Sequence, residues 1–183
     1  PFNKEIAKKK LKPVEAGASA STRPDAPFPS ELVSFGPPSA APLLAGTGAD
    51  TWDRRMRERG WVMRESDGWH LWYTGYNDAR SDSRFLGYAT SPDGLVWTRW
   101  PGNPLTKEGW VEDMTVVKHG GTYYMFAEGR GDIAHLLTST DRVTWKEQGD
   151  LDIRQSDGRP ISAGPRGTPT VWIEGDTWWL FYE

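Results

Sequence analysis

The sequence predicts an all-β protein made of repeated antiparallel sheets, and three observations carry that prediction. One phrase recurs: "DGWHLWYTGYN" (67–77), "GGTYYMFAEGR" (120–130) and "GDTWWLFYE" (175–183) each place a tight turn ahead of an aromatic strand. Two sets of apolar positions keep their spacing through all three copies. Val62, Val116 and Val171 are 54 and 55 apart (116−62, 171−116), and so are Leu71, Met125 and Leu180 (125−71, 180−125). Finally, no segment of 60–183 has the 3.6-residue apolar period of a helix, whereas short runs rich in Trp, Tyr, Phe and Val are bounded by turn residues.

The elements follow in order. Residues 1–42 join a lysine-rich start, "KEIAKKKLK" (4–12), to a stretch rich in Pro, Ala and Ser, and read as an irregular arm or linker. No apolar segment follows the lysines, so no signal peptide is visible. The partial propeller domain is expected over 43–183. Each repeat opens with two strands joined by a two-residue turn, at Asp67-Gly68, Gly120-Gly121 and Gly175-Asp176. A third strand runs into "SPDG" (91–94) or "STDR" (139–142), where Asp93 and Asp141 are expected to hydrogen-bond their own turn backbone. A fourth short strand carries Trp97 or Trp145. "ATSPDGLVW" (89–97) matches "LTSTDRVTW" (137–145) at an offset of 48, so the preceding loop is six residues shorter in the second copy (54−48).

Four antiparallel strands repeated about every 54 residues describe the blade of a β-propeller. The copies place blade one at about 52–100, blade two at about 110–149 and the start of a third at about 167–183. A propeller closes to remove its open edges, so the chain is expected to be a piece of a longer protein.

Composition narrows the function classes. A net charge of −3 and a pI near 5.7 give no electrostatic reason to expect a nucleic-acid partner. No apolar run approaches the roughly 18 residues of a membrane-spanning helix. Cysteine is absent, which removes disulfides and thiolate metal sites. His70, His119 and His135 lie far apart in the pattern, so no metal is expected, and no Gly-rich phosphate loop leads a strand into a helix, so no cofactor is expected. The 11 tryptophans suit packing and also stacking on sugar rings.

Antiparallel order places the start of each first strand and the end of each second strand on one face. In the second copy that face receives Glu112 and Asp113 from "EDMTVV" and Glu128 and Arg130 from "AEGR". The first copy adds Trp52 and Asp53 from "TWDRRMRER" and Tyr76 from "TGYN"; the third adds Arg166 from "GPRGTPT" and Glu183. Crowded carboxylates beside Trp52 and Trp110 suit acid/base chemistry on a carbohydrate, in which one carboxylic acid stays protonated and another ionised. The competing reading makes these acids surface partners of Arg54, Arg55, Arg57, Arg59 and Arg130.

"EDMTVVKHGGTYYMFAEG" (112–129) resembles the blade opening of five-bladed β-propeller glycoside hydrolases, and "WHLWYTGYN" and "LGYATSPDGLVWTR" (86–99) resemble blade text of the same superfamily. That superfamily includes arabinanases and xylosidases, invertases and levanases, and mannoside phosphorylases. The resemblance covers about 43–183. It implies a five-bladed propeller of which this chain holds about two and a half blades, a carbohydrate substrate, and a secreted or periplasmic protein. In the superfamily an acid at the start of the innermost strand supplies the active site, and that position is Asp113 here. The matching positions in the other copies are Arg59 (113−54) and Thr168 (113+55). Asp53, Glu128 and Glu183 are therefore the substitute acids; Arg130 and Arg166 are candidate substrate ligands, and Trp52, Tyr76 and Trp110 candidate stacking walls. A glycoside hydrolase is the leading expectation. A non-catalytic glycan- or protein-binding propeller and a glycoside phosphorylase are the alternatives.

Overall fold

The computed structural model describes residue 36, residues 38–161 and residues 166–183, so most of the arm expected at 1–42 lies outside the described residues. One compact unit spans 41–152 and 166–183; Ile153–Ile161 belong to a separate unit, in which Arg154 and Pro160 form an isolated antiparallel bridge.

The main unit is a series of antiparallel sheets. The first holds β1 (Arg55–Glu65), β2 (Gly68–Tyr76), β3 (Phe85–Ser91) and β4 (Thr98–Arg99); the second holds β5 (Glu112–His119), β6 (Thr122–Glu128), β7 (Ala134–Ser139) and β8 (Lys146–Asp150). Each is a meander in sequence order, and β9 (Thr170–Glu174) and β10 (Thr177–Phe181) form the two strands that follow. These sheets are the expected blades. The repeat is also a structural register: Val62 pairs with Leu71, Val116 with Met125 and Val171 with Leu180.

Two local details differ from the sequence expectation. The first hairpin turns at Ser66-Asp67, not Asp67-Gly68, because Gly68 (φ 128°) already opens β2. Trp97 and Trp145 precede the fourth strands instead of lying in them, because each indole N–H closes the turn, onto the carbonyl of Gly94 (3.0 Å) or Arg142 (2.9 Å). The turns themselves repeat bond for bond. Ser91 and Ser139 accept from the backbone N–H groups two and three residues on, and Asp93 and Asp141 accept from those of Leu95 and Val96 or Val143 and Thr144. The six-residue difference is equally plain. Gly75 pairs with Phe85 around residues 76–84, nine in all, while Gly129 donates to Ile133 around residues 130–132, three in all.

Alternation along the strands gives every sheet two packing faces. Trp61, Met63, Trp72, Leu86 and Tyr88 form the face of blade one that meets blade two, whose own facing row is Val116, Tyr123, Met125 and Leu137; together they are the core. The opposite face of blade two offers His119, Tyr124 and Phe126 to Trp178 of β10, with ring centroids 5.5, 5.0 and 6.5 Å apart. Position equivalents of Val116 thus always face the preceding sheet. Among the described residues no sheet covers Val62, which is 47% exposed, while Val116 is 1% exposed.

Charge ties blades one and two at the hairpin end. Arg142, at the turn position that is Gly94 in blade one, keeps the left-handed backbone (φ 75°) that glycine adopts most easily. Its guanidinium bonds Glu65 (3.1 Å) and Asp67 (2.8 Å), and its carbonyl accepts from Trp72 Nε1 (3.0 Å). Lys118 and the Tyr123 hydroxyl also donate to Glu65. Burial pushes Glu65 up, but those two hydrogen bonds and the nearby cations outweigh it, so its pKa lies below the usual value. The hydrogen bond from Arg142 holds Asp67 down, and the backbone N–H of Thr144 holds Asp141 down to about 2.

Two outcomes follow. Met125→Ala should cost about 2–5 kcal/mol in urea unfolding, and Val62→Ala about 0.5 kcal/mol or less, although the two side chains occupy neighbouring register positions. Carboxylates with lowered folded pKa values contribute stability above their ordinary range and lose it as pH falls through the folded values. Stability should therefore fall between about pH 5 and pH 2. Arg142→Ala should cost about 1–3 kcal/mol near neutrality and flatten that pH dependence; an unchanged slope would remove the clamp as its source.

Candidate functional site

The end of the blades opposite the hairpins brings together the start of β5, the end of β6 and the residues leading into β9. Glu112 and Glu128 are the first register pair of β5 and β6, and both are buried. Beyond Glu112 the strand bulges: Thr115 is the next residue to pair, opposite Phe126, and Asp113 lies in the bulge with φ 43°. Its register equivalent Thr168 has φ 51°, and Glu58, one position before the equivalent of Asp113 in blade one, has φ 58°. A left-handed residue therefore recurs where each innermost strand begins. Such conformations cost about 1–3 kcal/mol each and are held by their surroundings.

What holds Asp113 is Arg59. The backbone N–H of Arg59 donates to Asp113 Oδ1 (3.0 Å), Nη2 donates to the Asp113 carbonyl (3.1 Å), and Nη1 reaches Thr170 Oγ1 (3.4 Å). One side chain of blade one thus crosses the starts of both following inner strands. The register position at which the resemblance implied an acid is filled by the cation that fastens the next acid.

Glu128 is held from the third sheet. Its Oε1 accepts from the backbone N–H and the hydroxyl of Thr168, the latter at 3.1 Å. Gly167 makes room, since a Cβ there would fall 2.5 Å from that oxygen. Burial is the main cause that raises the Glu128 pKa; the Thr168 hydrogen bonds oppose it, and the charges of Asp113 and Asp132 add to it.

Glu112 has a different environment. Burial also raises its pKa, but Arg57 Nε lies 3.1 Å and Arg84 Nε 3.4 Å from Oε1, and Trp110 Nε1 donates to Oε2. The buried Arg84 guanidinium sits over the rings of Tyr76 (4.9 Å) and Trp110 (4.6 Å) and pairs with Asp78 (3.1 Å). Arg57 lies 5.7 Å from the Tyr76 ring centre and Arg130 4.8 Å from that of Trp110. The ring faces of Tyr76 and Trp110 thus already carry cations. Arg130 is exposed and pairs with the exposed Asp82 (2.9 Å). Beside Trp110 a cavity of about 240 Å³ is lined by Gly129, Arg130, His135, Glu147 and Asp150; burial lowers the His135 pKa.

Other expected site residues lie elsewhere or contribute less. Asp53 is buried, but its bonds run to Thr51 Oγ1 (2.9 Å), Arg99 Nε (3.0 Å) and the Tyr73 hydroxyl (3.5 Å), within blade one and the loop before it. Trp52 stacks on Tyr73 at 5.8 Å and fills the space left by Gly75 and Gly87, so it packs the sheet instead of forming a wall. Arg166 stands in the loop before β9 with φ 53°, and Glu183 donates its backbone N–H to Gly167 (3.1 Å).

Glu65, Asp67 and His70 bring potential ligand atoms within 4.8 Å of one another, but Arg142 Nη1 already lies among them, 2.8 Å from Asp67 and 2.8 Å from His70 Nε2. A guanidinium there fits a clamp and not a cation site.

Sequence comparison finds no matching family model and no matching curated protein. Structural comparison does find relatives. The family 117 glycoside hydrolase from the marine bacterium Zobellia galactanivorans matches with a TM-score of 0.53 and 19% identity, over 76% of this chain and 51% of that one. The GH32 β-fructofuranosidase of Bombyx mori matches at 0.51 and 20% identity, over 68% and 28%. The exo-β-1,3-galactanase of Phanerochaete chrysosporium matches at 0.51 and 14%, over 75% and 35%. This chain has the β-propeller fold found among these glycoside hydrolases and spans about half of their length or less.

The Glu112 pocket predicts its own energetics. Arg84→Met should destabilise the fold by about 3–5 kcal/mol, because it leaves a buried carboxylate with one partner fewer. Adding Glu112→Gln should restore part of that loss, as read by a double-mutant cycle in urea.

Proposed function

We propose that this chain is part of a five-bladed propeller glycoside hydrolase that acts on a glycan or oligosaccharide, with Glu128 as general acid and Asp113 as the partnering carboxylate. The observation that carries the reading is Glu128: a buried carboxyl with a raised pKa, held by Thr168 of the following sheet and influenced by the charge of Asp113. Glycoside hydrolysis needs one carboxyl that keeps its proton and a second that stays ionised. Glu112, already faced by two arginines and an indole N–H, suits shaping the pocket and excluding water more than proton transfer. Asp113 is fixed at its bulge by two bonds from Arg59, which supplies the positioning such chemistry requires. Arg130 pairs with an exposed aspartate and lies over the Trp110 ring, so it can exchange the aspartate for a substrate hydroxyl or carboxylate.

A second reading has its own support. Arg59 and Thr168 stand at the two register positions where the superfamily resemblance implies acids, which favours a propeller that binds glycans without turning them over.

The deciding assay sets the natural full-length protein against a panel of aryl glycosides and polysaccharides. Glu128→Gln should lower kcat by about 10²–10⁴-fold. It should also leave the fold equally or more stable at pH 7, because a raised folded pKa means that ionised Glu128 costs stability as pH rises through it. Loss of activity with equal glycan binding in Asp113→Asn would support the enzyme. Absence of turnover by the parent, with glycan binding unchanged in both variants, would establish the binding module instead.

A further inference from the structure

Blade two carries a second concentration of polar chemistry, apart from Glu128 and Asp113. The sheet order β5-β6-β7-β8 puts β7 and β8 on the side remote from the innermost strand. There the cavity of about 240 Å³ is walled by His135 of β7, by Glu147 and Asp150 of β8, and by Arg130 and Trp110. Glu128 is bonded to Thr168 of the third sheet, whereas this cavity is lined by Gly109 and Trp110, which lead in from blade one.

An irregularity in β8 builds the acidic wall. His135 pairs with Asp150 and Leu136 with Gly149, but Leu137 pairs with Glu147, so Gln148 is an extra residue. In a regular strand, residues 147 and 150 would point to opposite faces. The extra residue instead sets both carboxylates opposite His135 and Leu137, which share a face. Gln148 bonds Thr138 Oγ1 (2.9 Å), on the alternate face, and Gly149 absorbs the kink with φ 108°.

The structure uses none of these three side chains elsewhere. His135 Nε2 is buried with no hydrogen-bond partner among the described residues, where Glu147 and Asp150 also have no ion pair. A buried nitrogen left in this way is costly, and one that lines a cavity gains most from a ligand. Burial outweighs the two carboxylates and lowers the His135 pKa, so at pH 7 the ring is neutral, with one nitrogen that donates and one that accepts. The carboxylates accept, Arg130 donates, and Trp110 and Ile133 add apolar surface. A metal ion fits poorly, because the ligand atoms of His135, Glu147 and Asp150 are not gathered within 4.8 Å as those of Glu65, Asp67 and His70 are, and a guanidinium stands on the same wall. An anion would face two carboxylates. Hydroxyl groups donate and accept at once, so a ring that bears several of them matches the set. The volume lies below the roughly 300–1,000 Å³ of pockets for drug-sized ligands, which limits the occupant to one such ring. We infer that this cavity is a second carbohydrate subsite, which holds one sugar residue through Glu147, Asp150 and the His135 ring and is separate from Glu128 and Asp113.

The test follows the imidazole NMR signals of His135, assigned with His135→Phe, in the natural full-length protein. Methyl glycosides of glucose, galactose, mannose and arabinose are titrated in turn, and at least one should shift those signals with half-saturation on the order of 1 mM. The shift should persist in Glu128→Gln. Glu147→Gln/Asp150→Asn alters two exposed side chains and should keep the melting temperature while weakening binding about tenfold or more. The inference is overturned if no glycoside moves the His135 signals up to about 50 mM, or if the double variant binds as the parent does. It is overturned too if the shift disappears in Glu128→Gln, which would assign the sugar to the other site, or if zinc chloride or methylammonium chloride moves the signals and the glycosides do not. Binding at His135 in a protein without turnover would keep this inference and remove the hydrolase reading; turnover without binding at His135 would do the reverse.

Discussion

The structure depends on one interaction, the face-to-face packing of consecutive sheets, and Trp72 is its centre. Its ring is buried between blades one and two with Tyr88, Tyr123 and Trp145 around it, and its indole N–H is satisfied by the Arg142 carbonyl of the next blade. Burying an aromatic of this size contributes a few kcal/mol only if its polar atom also finds a partner. Arg142 supplies that partner with its backbone while its side chain fastens the hairpin of blade one. A residue other than glycine at this left-handed position is therefore explained by what the arginine joins.

The candidate site is a consequence of the same packing. Because each sheet leans on the next, the start of one inner strand touches the start of the following one. Arg59 reaches Asp113 and Thr170, and Thr168 reaches Glu128. None of the central carboxylates is served by its own blade alone. Asp113 is fixed by the blade before it and Glu128 by the sheet after it, so the site exists only where neighbouring sheets are docked. Desolvation at that seam is what raises the Glu128 and Glu112 pKa values.

Much of the fold was legible in the sequence because repeats leave a spacing that needs no coordinates. The pairs Val62–Leu71, Val116–Met125 and Val171–Leu180, the shared Ser-x-Asp turn and the six-residue loop difference all stand in the structure as spacing alone implied. The site was less legible. Spacing says which end of a strand a residue occupies, but not which partner it takes. Asp53 and Trp52 belong to the expected end by sequence and yet turn to Arg99 and Tyr73. Arg84 was missed because it lies in the longer blade-one loop, outside any repeat; that loop's extra length was the only signal pointing to it. Arg59 was seen as a failed match, and its role as the fastener of Asp113 required three-dimensional neighbours.

The central claim is that the seam between sheets holds Glu128 protonated beyond the ordinary range while Asp113 contributes to that shift. The most direct measurement is the ¹³C-carboxyl titration of Glu128 in the parent and in Asp113→Asn. The account predicts a midpoint above the ordinary glutamate value of 4.5 that moves down when the Asp113 charge is removed. A midpoint at or below 4.5 in the parent, or one unmoved by Asp113→Asn, would contradict it.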